Sequence, residues 1–314
     1  MKTFPDFVPK SVNAFLARFD LNGNMTWWKL YNWRTDRNAV SIIPVSDGYV
    51  MAGTIGTYTV ALGSLNAYLV RTDTDGNEIW NRTYGNPAYN DYRNMTSGNP
   101  VYDNYFYAIL PSDDGYILAG QTNGSYSWIN GISWLMKTDL DGNEIWNRTY
   151  IKGYTEVIAN ASDGYVLLVQ TISGYHLIKT EKDGNETWDR DLGNYRQLSL
   201  AAVPDGYVLT GEIYTPGDPK SQLSLMKTDR NGNTIWNTTY AMAGNNYDSR
   251  VIFDRGAYVI VGKSNGNVTT YNDSIFLLKT RPDDAGAAPT IPAASPVLTT
   301  LAVIIAAIAV NSRK

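Results

Sequence analysis

No cysteine occurs in the 314 residues, which removes disulfides, zinc–thiolate sites, iron–sulfur clusters and cysteine nucleophiles together. There is one histidine, His176, on the segment SGYHLIKT. A single imidazole excludes His-based metal sites and multi-candidate Ser-His-Asp triads, and His176 reads as a structural strand residue. Positive charge is not in excess: 26 Lys and Arg against 30 Asp and Glu give −4. With no basic stripe, nucleic acid is not an expected partner. Phenylalanine is scarce, 7 against 23 Tyr and 9 Trp. Aromatics with a polar tip suit half-buried strands and wet binding faces.

What is present is a two-part motif in alternation. One part reads LVRTDTDGNEIWNRTY (69–84), LMKTDLDGNEIWNRTY (135–150), LIKTEKDGNETWDRDL (177–192) and LMKTDRNGNTIWNTTY (225–240), with a diverged copy LARFDLNGNMTWWKLY (16–31). The other reads SDGYVMAGT (46–54), DDGYILAGQ (113–121), SDGYVLLVQ (162–170), PDGYVLTGE (204–212) and RGAYVIVGK (255–263). Fixed repeats of this length mean one supersecondary unit stacked on copies of itself. An Asp-Gly pair between apolar runs predicts a hairpin whose Gly accepts positive φ, and the Asp-x-x-Gly-Asn segment predicts a second hairpin with a longer turn. Two hairpins make a four-stranded antiparallel unit, and units of this size in a ring are β-propeller blades.

The expected fold is all-β: a propeller over 14–280 with five blades, or six as the alternative, and a C-terminal hydrophobic helix. Trp27, Trp80, Trp146, Trp188 and Trp236 each lie four residues after a turn Gly and are expected to pack between blades. Gly53, Gly120, Gly211 and Gly262 are expected where backbones approach closely. The chain opens on a Trp hairpin and ends on the strand SIFLLKT (274–280), so the last blade is expected to combine strands from both termini.

The pattern DGY-hydrophobic-G followed by KTD-x-x-GN-x-x-W resembles the propeller repeats of archaeal and bacterial cell-surface proteins, over residues 14–280. The second half also looks like the Asp-box of sialidase-type propellers and the tryptophan-docking motif of pyrroloquinoline-quinone propellers, both blade-stitching elements. The quinone enzymes would imply a cofactor and, in many, a cysteine pair that this chain lacks. No cofactor is therefore expected.

The turn residues Asp73, Asp75 and Asn77, and Asp139, Asp141 and Asn143, have the alternating oxygens of a calcium loop. The loop is shorter than an EF-hand, and Lys182 and Arg230 sit in two copies. An Asx turn with a left-handed glycine is the favoured reading, calcium the alternative.

Function is expected in the long, dissimilar loops, which topology places on one rim: 54–66, 85–105, 122–133, 213–221, 241–248 and 264–274. Their Tyr89, Tyr92, Tyr102, Tyr105, Tyr126, Trp128, Tyr214 and Tyr247, among many Asn, Ser and Gly, suit a sugar ring or a peptide surface. Glycan or surface-protein binding, with no chemistry of its own, is the main reading. A five-bladed glycosidase is the alternative, requiring two acids among Asp103, Glu156, Glu212, Asp218 and Asp248 to come within about 10 Å. A purely structural envelope element is the third. Sequons are abundant, with Asn81, Asn94, Asn123, Asn147, Asn237, Asn267 and Asn272 as glycan acceptors if the chain is exported.

Residues 281–296 read as a Pro/Ala linker, 297–310 (VLTTLAVIIAAIAV) as a membrane anchor, and 311–314 as a basic cytoplasmic end. Residues 1–13 are a lead-in without a hydrophobic export region. The expectation is a surface-displayed propeller whose true start lies upstream of Met1, with a cytosolic tail-anchored protein as the alternative.

Overall fold

The computed structural model describes residues 14–31, 36–56, 65–85, 103–124, 130–214, 221–240, 245–265 and 273–280. Of Asp36–Asn38, Tyr214, Asn245–Asp248, Asn265, Asp273 and Ser274 it describes the backbone only. The chain divides into two compact units, one running to Thr155 and the other from Glu156.

All described regular structure is β. In the first unit, β1 (Ala14–Phe19) and β2 (Met25–Tyr31) form a hairpin. Sheet A follows with β3 (Asp36–Val45), β4 (Gly48–Gly56), β5 (Leu65–Asp73) and β6 (Glu78–Tyr84). Sheet B has β7 (Asp103–Ser112), β8 (Gly115–Gly124), β9 (Ile132–Asp139) and β10 (Glu144–Lys152). Around and after the unit boundary comes sheet C, with β11 (Tyr154–Ala161), β12 (Gly164–Gln170), β13 (Tyr175–Glu181) and β14 (Glu186–Gly193). Sheet D has β15 (Tyr195–Val203), β16 (Gly206–Tyr214), β17 (Ser221–Asp229) and β18 (Thr234–Tyr240). Sheet E has three strands, β19 (Asn245–Asp254), β20 (Ala257–Asn265) and β21 (Asp273–Thr280). Strands neighbour one another in chain order in every sheet. All ten hairpins expected from the repeats form.

The middle strands are apolar on both faces because both faces are covered. In β4, Val50 and Ala52 pack with Leu69 against Phe106, Leu118 and Met136 of sheet B, while Met51 and Val70 pack under Ala14 and Tyr31 of the first hairpin. Sheets C and D share Leu168, Leu177, Leu209 and Met226, and D and E share Val208, Leu225, Val251 and Ile260. Each such side chain removed from water contributes about 1.5–3 kcal/mol.

One local expectation needs correcting. The Asp-Gly glycine is not in the turn: Val45 pairs with Gly48, so Ser46 and Asp47 make the loop and Gly48 opens β4. Glycine is needed there because a Cβ would collide with the Thr72 carbonyl oxygen of β5, and Gly115, Gly164 and Gly206 meet Thr138, Thr180 and Thr228 in the same way. The glycines ending the second strands of sheets B and D do lie where backbones approach closely, each beside a bulge. Gly120 faces the Tyr105 carbonyl where β7 slips register, and Gly211 lies against Leu198 and Arg196 where β15 does. In sheet E the third position beside β20 is filled by β21, as the strand SIFLLKT implies, with Val261 opposite Leu277, and β1 pairs with β2.

No helix among the described residues is long and apolar enough to cross a membrane. The segment 297–310 lies outside the described residues.

Candidate functional site

The two ends of each sheet are chemically unlike. At the tight-turn end the motifs are tied to each other. The cation of the KTD segment reaches the Asp of the Asp-Gly hairpin beside it: Lys137 to Asp114 at 2.8 Å, Lys179 to Asp163 at 2.8 Å, Lys227 to Asp205 at 2.5 Å, and Arg71 to Asp47. Accepting these bonds holds all four carboxyls below the ordinary aspartate range.

The longer turn is a closed Asx structure. Asp73 Oδ1 accepts from the backbone N–H of Asp75 and Asn77 at 2.9 and 2.8 Å, and Oδ2 from the Asn77 amide at 2.8 Å. Asp139, Asp229 and Asp20 repeat this with Asn143, Asn233 and Asn24, and the side-chain bond from each Asn lowers each carboxyl's pKa. Gly76 and Gly142 sit at φ 74° and 77°. The oxygens of Asp73 and Asp139 that a calcium loop would use are thus turned onto their own amides. Among the described residues no group of three or more acidic or imidazole side chains is placed to hold a metal.

The tryptophans stitch neighbouring elements within each unit. Trp27 lies over Gly76, Trp80 over Gly142 and Trp188 over Gly232, where a Cβ would come within 2.8–2.9 Å of the indole. Tyr31 and Tyr84 add hydroxyl bonds to the carbonyls of Gly76 and Gly142 at 2.9 and 2.6 Å. Trp236 contacts Tyr258 with ring centroids 6.0 Å apart, and Arg148 lies 5.7 Å over Trp146. His176 Nδ1 is 2.9 Å from Asp189 Oδ1, a pair on adjacent strands.

The opposite end gathers buried polar side chains. Asn66, Asn104, Gln121, Ser133 and Thr155 are buried there in the first unit, and Glu212 and Ser221 in the second. Asp103, at the start of β7, accepts from the Leu65 N–H at 2.9 Å and the Tyr105 hydroxyl at 3.4 Å. Burial pushes its carboxyl above the ordinary range. Asn104 Oδ1 accepts from the Thr122 hydroxyl at 2.6 Å, and the hydroxyls of Ser133 and Thr155 are 2.8 Å apart. The Tyr175 hydroxyl lies 2.7 Å from Glu156 Oε2 and 3.0 Å from Gln170 Oε1. Glu212 pairs in register with Arg196, beside a bulge that holds Gln197 at φ 49°.

Of the expected binding residues, Tyr105 is at this end, stacked on Tyr107 with centroids 5.7 Å apart. Tyr214 and Tyr247 lie on the ends of β16 and β19, with their side chains outside the description. Tyr89, Tyr92, Tyr102, Tyr126 and Trp128 lie outside the described residues, as do Asn94, Asn267, Asn272 and Asp218. Asn81, Asn147 and Asn237 are on the fourth strands, and Asn123 closes β8 at φ 56°. Apart from Glu212, the buried polar groups are not legible in the sequence, since Asn, Gln and Ser in a variable segment give no sign of burial. A cavity of 10 Å³ lined by Ala14, Tyr31, Met51, Tyr68 and Val70 is an apolar packing gap.

No family model and no curated protein matches the chain. Solved structures with partial likeness include an exo-β-1,3-galactanase from Clostridium thermocellum, at 11% identity and TM-score 0.42 over 84% of this chain. The match spans 62% of the galactanase chain. A Bacillus subtilis arabinanase matches at 13% identity and TM-score 0.38, over 82% of this chain and 99% of its own. The hemagglutinin-neuraminidase ectodomain of parainfluenza virus 5 matches at 9% and 0.46, over 87% and 77%. At identities and TM-scores this low, neither a shared fold nor a shared activity follows.

Proposed function

We propose that this chain is a β-propeller that engages glycans at the loop-bearing end of its sheets, displayed on a cell surface by the segment 297–310. One observation carries the reading. Buried amides, hydroxyls and carboxylates collect at that end of the described sheets, while the other end is closed by its own Asx turns and ion pairs. Amides and carboxylates set among tyrosines are the groups that hydrogen-bond sugar hydroxyls and stack on sugar rings.

Five blades are sheets A to E. The repeat pattern, the sequons and the apolar tail with its basic end support the cell-surface setting.

Glycoside hydrolysis is the second reading, favoured by Asp103, whose burial raises its pKa as a general acid requires. Affinity electrophoresis in gels cast with arabinan, β-1,3-galactan or levan tests binding, and release of reducing ends tests hydrolysis. Retardation without release supports binding alone. Release that is lost in Asp103→Asn moves the protein to the hydrolases. Neither retardation nor release in any polysaccharide contradicts the glycan reading.

A further inference from the structure

Among the described residues sheet E is one strand short. In sheets A to D the third strand is paired on both sides: β5 by β4 and β6, β9 by β8 and β10, β13 by β12 and β14, and β17 by β16 and β18. Of the described strands only β20 pairs with β21. A sequence suited to an interior strand therefore stands at an edge, and an edge strand turns every second backbone N–H and C=O away from its own sheet.

β21 has little of the usual edge protection. Between Asp273 and Lys279 it reads SIFLL, without charge, proline or glycine. Ile275 and Leu277 are 81% and 66% exposed, whereas Leu225, in the place of Leu277 in sheet D, is 1% exposed. Lys279 is exposed on the same face. Lys227, its counterpart, pairs with Val208 and binds Asp205, three residues before that valine. Lys279 pairs with Val259, and three residues before it stands Gly256, so the repeat's own carboxylate is missing here. The chain that follows, 281–296, holds Pro282, Pro289, Pro292 and Pro296 and is a poor source of a further strand.

We propose that β21 pairs with β21 of a second copy, antiparallel and centred on Phe276, joining two E sheets across a two-fold axis. Positions at equal distance from Phe276 are complementary: Ile275 meets Leu277 of the second copy, and the acidic position Asp273 meets the basic Lys279. Two-fold symmetry makes each of these contacts twice. Directly opposed residues have Cβ atoms about 4.5–5.5 Å apart, close enough for apolar and opposite-charge pairs to stabilise the ladder. The two strands end on opposite sides of the pair, and residues 281–296 reach up to about 50 Å, so both tails can enter one membrane. The pairing uses the outer edge of sheet E and is independent of the glycan reading.

The full chain in detergent micelles is followed by sedimentation velocity, and dimers are expected at about 10 μM. Lys279→Glu sets like charges opposite each other at both ends and should weaken association about tenfold, with unchanged circular dichroism. Combining it with Asp273→Lys should restore the dimer. Because the chain has no cysteine, a disulfide reports the register. A mixture of Ile275→Cys and Leu277→Cys should oxidise to a mixed dimer faster than either variant alone. If Lys279→Glu does not fold, the mixed disulfide still decides. A dimer that ignores the charge reversal and shows no preference for the mixed disulfide is held elsewhere, by the apolar tail, and overturns the pairing. A monomer up to about 100 μM overturns it too, whether residues 281–296 or water covers the edge.

Discussion

Lys179 Nζ stands 2.8 Å from Asp163 Oδ1, with the lysine side chain 5% exposed and the aspartate 74%. The same ammonium donates to the Thr180 carbonyl at 2.7 Å. With its counterparts Arg71–Asp47, Lys137–Asp114 and Lys227–Asp205, the pair explains why two halves of a repeat keep each other's charge. One hairpin supplies the cation and its neighbour the anion, so the bond fixes the second strand against the third.

Removing one partner tests this. Asp163→Asn should cost about 1 kcal/mol, because the anion is exposed and screened, and lower Tm by roughly 2–4 °C. Lys179→Met should cost no more, since its stem is already packed. The double variant should show coupling of about 0.2–1 kcal/mol in a thermal or urea cycle. Strict additivity would mean that the contact does not stabilise the sheet.

Acid should weaken the fold at the turn end. Eight aspartates have lowered folded pKa values, four from Lys or Arg bonds and four from Asn bonds in the Asx turns. A depressed folded pKa adds stability that is complete above the unfolded value of about 3.9 and lost as pH falls through the folded values. Asp103 has the opposite sign, because its raised pKa favours the fold as it protonates. On the alkaline side, burial lifts Tyr31 and Tyr207 to about 12. Stability should therefore drop between about 10, where unfolded tyrosines ionise, and those values. Urea midpoints from pH 2 to 12 measure both limbs, and a flat profile below pH 4 would contradict the acid limb.

Two glycines in equivalent turns should respond differently to alanine. Gly23 sits at φ 81° with nothing within 4 Å of a Cβ, so Gly23→Ala meets backbone strain alone, about 1 kcal/mol. Gly142, at φ 77°, also meets Trp80 at 2.9 Å and Arg82 at 2.8 Å, so Gly142→Ala should cost about 2–3 kcal/mol. Equal losses in thermal melts would mean that the indole does not rest on the turn.

Copies of one sequon should differ in occupancy if the chain is exported. The Asn237 amide donates to the Tyr195 hydroxyl at 2.6 Å, and its oxygen accepts from Ser224 at 2.9 Å. Asn147 is exposed, and its amide donates to the nearby Glu144. Peptide mass spectrometry after protease shaving of intact cells should find more glycan on Asn147 than on Asn237. Propeller peptides protected until lysis would contradict surface display.

Hairpins and their order are legible in the repeats because each turn carries its own chemistry within a few residues. The stitching tryptophans are legible too, since their spacing from the turn glycine never varies. The function of Gly48 is not, because it depends on the Thr72 carbonyl of a strand 24 residues away. The Lys179–Asp163 bond likewise follows from strand register. Tyr175 and Ser133 look unrelated until pairing places them opposite equivalent glutamines.

The most direct test of glycan engagement at the loop-bearing end is hydrogen–deuterium exchange of the full chain with and without arabinan or β-1,3-galactan. The account predicts slowed exchange at 103–107, 121–124 and 130–134, and none at the turns Asp73–Asn77 and Asp139–Asn143. Protection confined to those turns, or no protection with either polysaccharide, would contradict it.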